Sequence, residues 1–94
     1  MFGKVTTGTL IVVGQATPAN HTRGDGHTVT VTLSGATTSD IIIVNQTSNL
    51  GDYVVCGHYV SSTNTVTIQF SCTVTNANNS QAIPSFLYVL IHPA

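Results

Sequence analysis

Thirty-five of the 94 residues are Thr, Val or Ile. Side chains branched at Cβ lose χ1 freedom in a helix and pack well on a pleated surface. A chain this rich in them is built for β-sheet, and a helical fold is excluded. The charged residues are only Lys4, Arg23, Asp25, Asp40 and Asp52. Thr, Ser, Asn and Gln together also number 35, so the hydrophilic surface is made of hydroxyls and amides. Two basic residues cannot line a phosphate backbone, which excludes nucleic-acid binding by counterion release. A hydrophobic fraction of 41% with a net charge of -1 is likewise the opposite of a disordered composition.

The length allows one small domain, residues 1–94, because a single core of this size leaves no room for a second. Such a domain buries only about 60–68% of its unfolded surface, and it carries little charge to keep copies apart. Association with itself or with a larger assembly relieves both problems. No stretch approaches the ~20 apolar residues of a membrane-spanning helix. The start, Met1-Phe2-Gly3-Lys4-Val5-Thr6-Thr7, lacks the apolar core of a secretory leader. The expectation is a product made in a cytoplasm.

Period-two alternation and turn residues predict about five to seven strands. The first runs from Lys4 to Val13, with Val5, Thr7, Thr9, Ile11 and Val13 on one face. A loop rich in Thr, Pro, Asn and Gly follows to Gly26, so residues 1–26 read as an N-terminal strand and long loop, and 27–94 as the main sandwich. His27 to Leu33 places Val29, Val31 and Leu33 inward. Asp40 to Asn45 carries Ile41-Ile42-Ile43-Val44, apolar on both faces. Asp52 to Val60 and Val66 to Cys72 form a hairpin through Ser61-Ser62-Thr63-Asn64. After the polar loop Asn76 to Gln81, the strand Ser85 to His92 is again apolar on both faces. Strands apolar on both faces lie in the middle of a sheet or against another subunit. The interface candidates are therefore Ile41, Ile43, Phe86, Tyr88 and Leu90. The fold class is all-β, a single small antiparallel β-sandwich.

Cys56 and Cys72 are too few for a disulfide framework. With Val60 opposite Val66, Cys56 falls opposite Phe70 and Cys72 opposite Val54, so the thiols do not face each other. Both read as reduced, half-buried packing residues.

From Thr28 onward the order is an alternating strand, the turn Ser34-Gly35-Ala36-Thr37-Thr38-Ser39-Asp40, and a run of Ile and Val. A polar loop with Leu50, the stretch Gly57-His58-Tyr59-Val60-Ser61, the strand start Asn64-Thr65-Val66-Thr67-Ile68 and an apolar last strand complete it. This pattern resembles the small jelly-roll-like β-sandwiches of tailed-phage structural proteins, which serve as capsid decoration (cement) proteins and as head or tail fibre modules. The resemblance implies a virion protein on the capsid surface, a homotrimer whose other partner is the major capsid protein. It implies no catalytic residue and no cofactor. Its alternative is a fibre or knob module that binds a receptor or glycan.

The remaining motifs are each weighed against a plain structural role. His21, Asp25 and His27 are ligand types suited to zinc, and Arg23-Gly24-Asp25 is the tripeptide of integrin-type adhesion loops. A solvated turn explains the same residues. Cys56 and His58, two apart on one strand, lack the close-spaced companion pair of a zinc site. Asp25, Asp40 and Asp52 are the only carboxylates, and two adjoin strand starts, where such residues cap turns. With no nucleophile elbow and no phosphate-binding glycine loop, an enzyme is not expected, and neither is a metal. For a sugar site, only Tyr53, Tyr59 and Tyr88 could stack on a ring, since Trp is absent.

Overall fold

The computed structural model describes residues 3–75 and 79–93. Six strands follow in chain order: β1 Lys4–Leu10, β2 Gly26–Thr32, β3 Ile41–Gln46, β4 Tyr53–Ser62, β5 Thr65–Cys72 and β6 Phe86–His92. They form two antiparallel three-stranded sheets, β1-β6-β3 and β2-β5-β4. β1 pairs with β6, β2 with β5, and β3 lies beside β4 where the sheets meet. The first half of the chain thus meets the second in reverse order, and the strands divide between two layers. This is a small all-β sandwich, elongated at 48 × 21 × 19 Å. The predicted polar loop falls partly at residues 76–78, outside the described residues.

The core lies between the two central strands. Phe70 of β5 and Phe86 of β6 stack with ring centroids 6.2 Å apart. Leu10, Val29, Val31, Ile42, Val60, Val66, Ile68 and Leu90 are buried with them. The β4–β5 hairpin forms as predicted, with Val60 paired to Val66. Its turn is tighter than expected, because Ser62 already pairs with Thr65 and only Thr63-Asn64 is left to reverse the chain. Asn64 takes the left-handed conformation at φ 63°, which Asn tolerates better than most residues. It also ties the hairpin to the turn after β2. Its N–H donates to the Ala36 carbonyl, its own carbonyl accepts from Leu33, and its side-chain oxygen accepts from Gly35.

Four expectations need correction. β1 ends at Leu10 rather than Val13, and its inward residues are not the apolar series. Leu10 and, beyond the strand, Val12 are buried, while Val5, Ile11 and Val13 face solvent. The reason lies across the ladder, where Gly8 pairs with Tyr88 and a Cβ on Gly8 would come within 2.9 Å of the Tyr88 ring. A large side chain on β6 thus fills the space that a small one on β1 leaves. β1 is also a full member of the first sheet rather than an appendage to a sandwich beginning at His27.

The last two corrections concern β6 and the cysteines. Phe86 and Leu90 sit in the core and Tyr88 is half-buried against it, so of the interface candidates only Ile41 and Ile43 face outward. Alternation separates residues 86, 88 and 90 from 87, 89 and 91. The sandwich takes the set with the two aromatic rings inside. Finally, a β-bulge interrupts β4 between Val55 and Gly57. Val55, not Cys56, lies opposite Phe70, and Cys72 lies opposite Tyr53 rather than Val54. The extra residue of a bulge leaves the ladder, which turns Cys56 to solvent. Cys72 is buried, and its thiol contacts the Val74 carbonyl at 3.3 Å.

Two tests follow directly. Truncating Phe86 to Ala should cost about 3–5 kcal/mol, a large part of the ~5–15 kcal/mol typical of a domain. Urea unfolding at fixed protein concentration measures it, and a loss below ~1 kcal/mol would contradict a core built on the ring pair. In the folded protein, an alkylating reagent should modify Cys56 and spare Cys72 until denaturant is added. Equal labelling of both thiols before unfolding, read by intact mass, would refute the bulge.

Candidate interaction surface

The two outer faces of the sandwich differ in chemistry, and the ladder registers show why. On the first sheet, outward residues line up across the strands β1, β6 and β3 in three rows. These are Val5–Ile91–Ile41, Thr7–Val89–Ile43 and Thr9–Leu87–Asn45. None of them carries a formal charge. Val5 is 60% exposed, Ile41 53%, Ile43 49% and Leu87 52%. Between β3 and β6 a shallow depression of about 100 Å³ is bordered by Ile43, Val44, Asn45, Leu87, Tyr88 and Val89. Exposed apolar residues scattered singly are ordinary, but a contiguous patch marks an interaction site.

The second sheet turns hydroxyls and amides outward. Thr28, Thr30 and Thr32 of β2 are exposed. Thr28 lies beside Gln69 and Thr30 beside Thr67 on β5. The Thr67 hydroxyl donates to Ser61 at 2.8 Å, and the Gln69 side chain lies over Gly57, where a Cβ would collide with it. Tyr59 and Val54 form the apolar margin of this face on β4. Polar side chains here satisfy one another and water.

The candidate chemical sites are explained by local structure. Asp25 closes a turn: its N–H donates to the Thr22 carbonyl and its carboxylate accepts from the Thr22 N–H at 3.0 Å. Gly24 at φ 92° supplies the left-handed residue this turn requires. Backbone bonds from Gly24 to Cys72 and from Cys72 back to Asp25 fasten the turn to the end of β5. The carboxylate of Arg23-Gly24-Asp25 is therefore folded back onto its own loop. His21 Nδ1 lies 3.5 Å from that carboxylate, and His27 stacks on Phe70 with centroids 6.1 Å apart. Among the described residues, no three His, Cys, Asp or Glu side chains converge on a point that would hold a metal.

His58 has a different task. Its Nδ1 lies 2.8 Å from the Ile42 carbonyl, and since a carbonyl only accepts, the proton is on Nδ1. This bond joins β4 to β3, one sheet to the other. Asp40 caps the turn before β3, accepting from the Thr37 N–H at 2.9 Å, and pairs with His92 at 2.8 Å. Desolvation raises the Asp40 carboxyl. The hydrogen bonds from Thr37 and the charge of His92 outweigh it, holding the group below its ordinary value. The sequence placed Asp40 at a strand start but gave no sign of its partner, 52 positions away at the other end of the chain.

No family model, curated protein or solved structure matches this chain.

His27 is held below the ordinary imidazole value, first by burial and then by the nearby His21. The fold therefore favours the neutral ring, and the unfolded chain binds a proton more readily. That contribution to stability is complete above about pH 6.5 and falls as the pH drops from there towards the lowered folded value. Melting temperatures between about pH 7.5 and 5 should drop further in the wild type than in His27→Gln. Equal slopes would show that His27 protonates freely in the folded protein.

Proposed function

We propose that this chain is a structural subunit of a tailed-phage virion. In this reading it is a decoration, or cement, protein that binds the major capsid protein on the outer surface as a homo-oligomer and stabilises the shell. The observation that carries the reading is the contrast between the two outer faces. One sheet offers an uncharged apolar surface for contact, and the other a hydroxyl and amide surface suited to water. The resemblance of residues 28–92 to phage jelly-roll proteins supports the same assignment. The histidines, Asp25 and Asp40 serve turns, strand junctions and core stacking, which favours a structural role over a catalytic one.

Attachment of a chain with only five charged residues should be indifferent to salt. Contacts between exposed charges are screened beyond ~8–10 Å at moderate ionic strength. Here Asp25 and Asp40, two of the five charged residues, already close turns. Apolar burial contributes ~25 cal/mol per Å² and is not weakened by simple salt. Occupancy on particles, measured by gel densitometry after incubation in about 0.05 M and about 1 M salt, should be equal. Release at the higher concentration would mean that Lys4 or Arg23 dominates the contact. Density for the protein on the tail alone, in a cryo-electron map of the particle, would overturn the decoration reading in favour of a fibre module.

A further inference from the structure

We infer that the outer face of β1-β6-β3 is a homotypic contact, covered in the assembled protein by the same face of a second copy of this chain. This rests on the reading of the protein as an assembling structural subunit and names the surface through which it assembles.

The first reason is charge. A face meeting its own copy sets the residues near the symmetry axis against themselves, so a charge placed there is repelled by its like. The three outward rows contain Val, Ile, Leu, Thr and Asn and no ionisable group. Nothing on this face repels its copy, and nothing on it selects a partner by charge.

The second reason is area. Val5, Ile41, Ile43 and Leu87 are each about half or more open to solvent. With the half-buried Val89 and Ile91 and the threonines between them, the face offers on the order of 500 Å² per copy. Two faces together bury on the order of 1,000 Å², where specific interfaces begin. The same area left in water is at the upper end of what a soluble monomer exposes.

The third reason is shape. Paired sheets sit about 10 Å apart with side chains interdigitated. That arrangement needs both a recess and a projection on one surface. The depression between Ile43 and Leu87 has room for one aliphatic side chain, and the neighbouring Ile41 and Val5 project far enough to supply one. Each copy therefore carries both halves of the contact.

The test is sedimentation equilibrium of the purified chain from about 1 to 100 µM, a range that reaches weak specific association. Wild type should sediment as a multiple of 9.8 kDa. Leu87→Asp and the milder Ile43→Thr, which keeps a β-branched side chain, should each weaken association about tenfold or more. Thr30→Asp, on the opposite sheet, should leave it unchanged. Cooperative thermal unfolding of each variant confirms that it folds. A wild type that stays monomeric throughout overturns this contact, and one that also fails to attach to particles overturns the decoration reading with it. A wild-type oligomer that survives both face substitutions, or is broken by Thr30→Asp, overturns the contact alone. If wild type is monomeric in solution and Leu87→Asp loses only its place on particles, the face is covered by capsid protein and the homotypic assignment is wrong.

Discussion

The contact between Phe70 and Phe86 determines more of this molecule than any other. The two rings join the central strands of opposite sheets. In a strand, fixing the direction of one side chain fixes all of them. With Phe86 inside, Leu87, Val89 and Ile91 must face out, and the ladder carries Val5 and Thr7 on one side and Ile41 and Ile43 on the other to the same surface. The apolar outer face is thus a consequence of how the core is filled. On the second sheet, Phe70 places Val29, Ile68 and Val66 inside and sends the threonines of β2 to water.

Much of the architecture was legible in the sequence because it rests on local alternation. The all-β class, the hairpin, the Val60–Val66 register and the central place of the last strand are all found in the structure. Period-two patterning gives two sets of residues per strand, however, and where both sets are apolar it cannot say which is inside. That ambiguity misassigned Phe86, Tyr88 and Leu90 to an interface. The inward direction of β1 was equally hidden, since Gly8 makes sense only opposite Tyr88, 80 positions later. The bulge at Cys56 leaves no mark on composition, and a one-residue insertion in the ladder reverses the expected direction of a thiol.

The few charges are spent on the ends of the sandwich. Asp25 and Asp40 close turns with their own loops, and Asp40 also holds His92. Asn64 and Gly35 complete the turns that charge does not reach. Thr17, almost wholly buried, exchanges bonds with Gln81 through both its backbone and its hydroxyl. Its neighbour Ala16 pairs with Ala82, extending the β1–β6 ribbon past its regular strands. The sheet faces are thereby left to hydroxyls on one side and hydrocarbon on the other.

The pairing of the first strand with the last also governs when this sandwich can exist. Lys4 lies opposite His92 and Leu10 opposite Phe86, so the partner of β1 is made long after β1 itself. Among the described residues, β6 in turn is the only ladder partner of β3. Until β6 emerges, only the β2-β5-β4 sheet can close, and β1 and β3 wait unpaired with their isoleucines and valines in water. Long-range pairings of this kind fold slowly, since the entropy of closing the loop comes before any contact that offsets it. The hairpin of β4 and β5 is the natural starting point, and completion waits for β6. A nascent chain stalled before Phe86 would present two unpaired strands with Lys4 as their only charge and no finished domain, a state prone to pair with its neighbours.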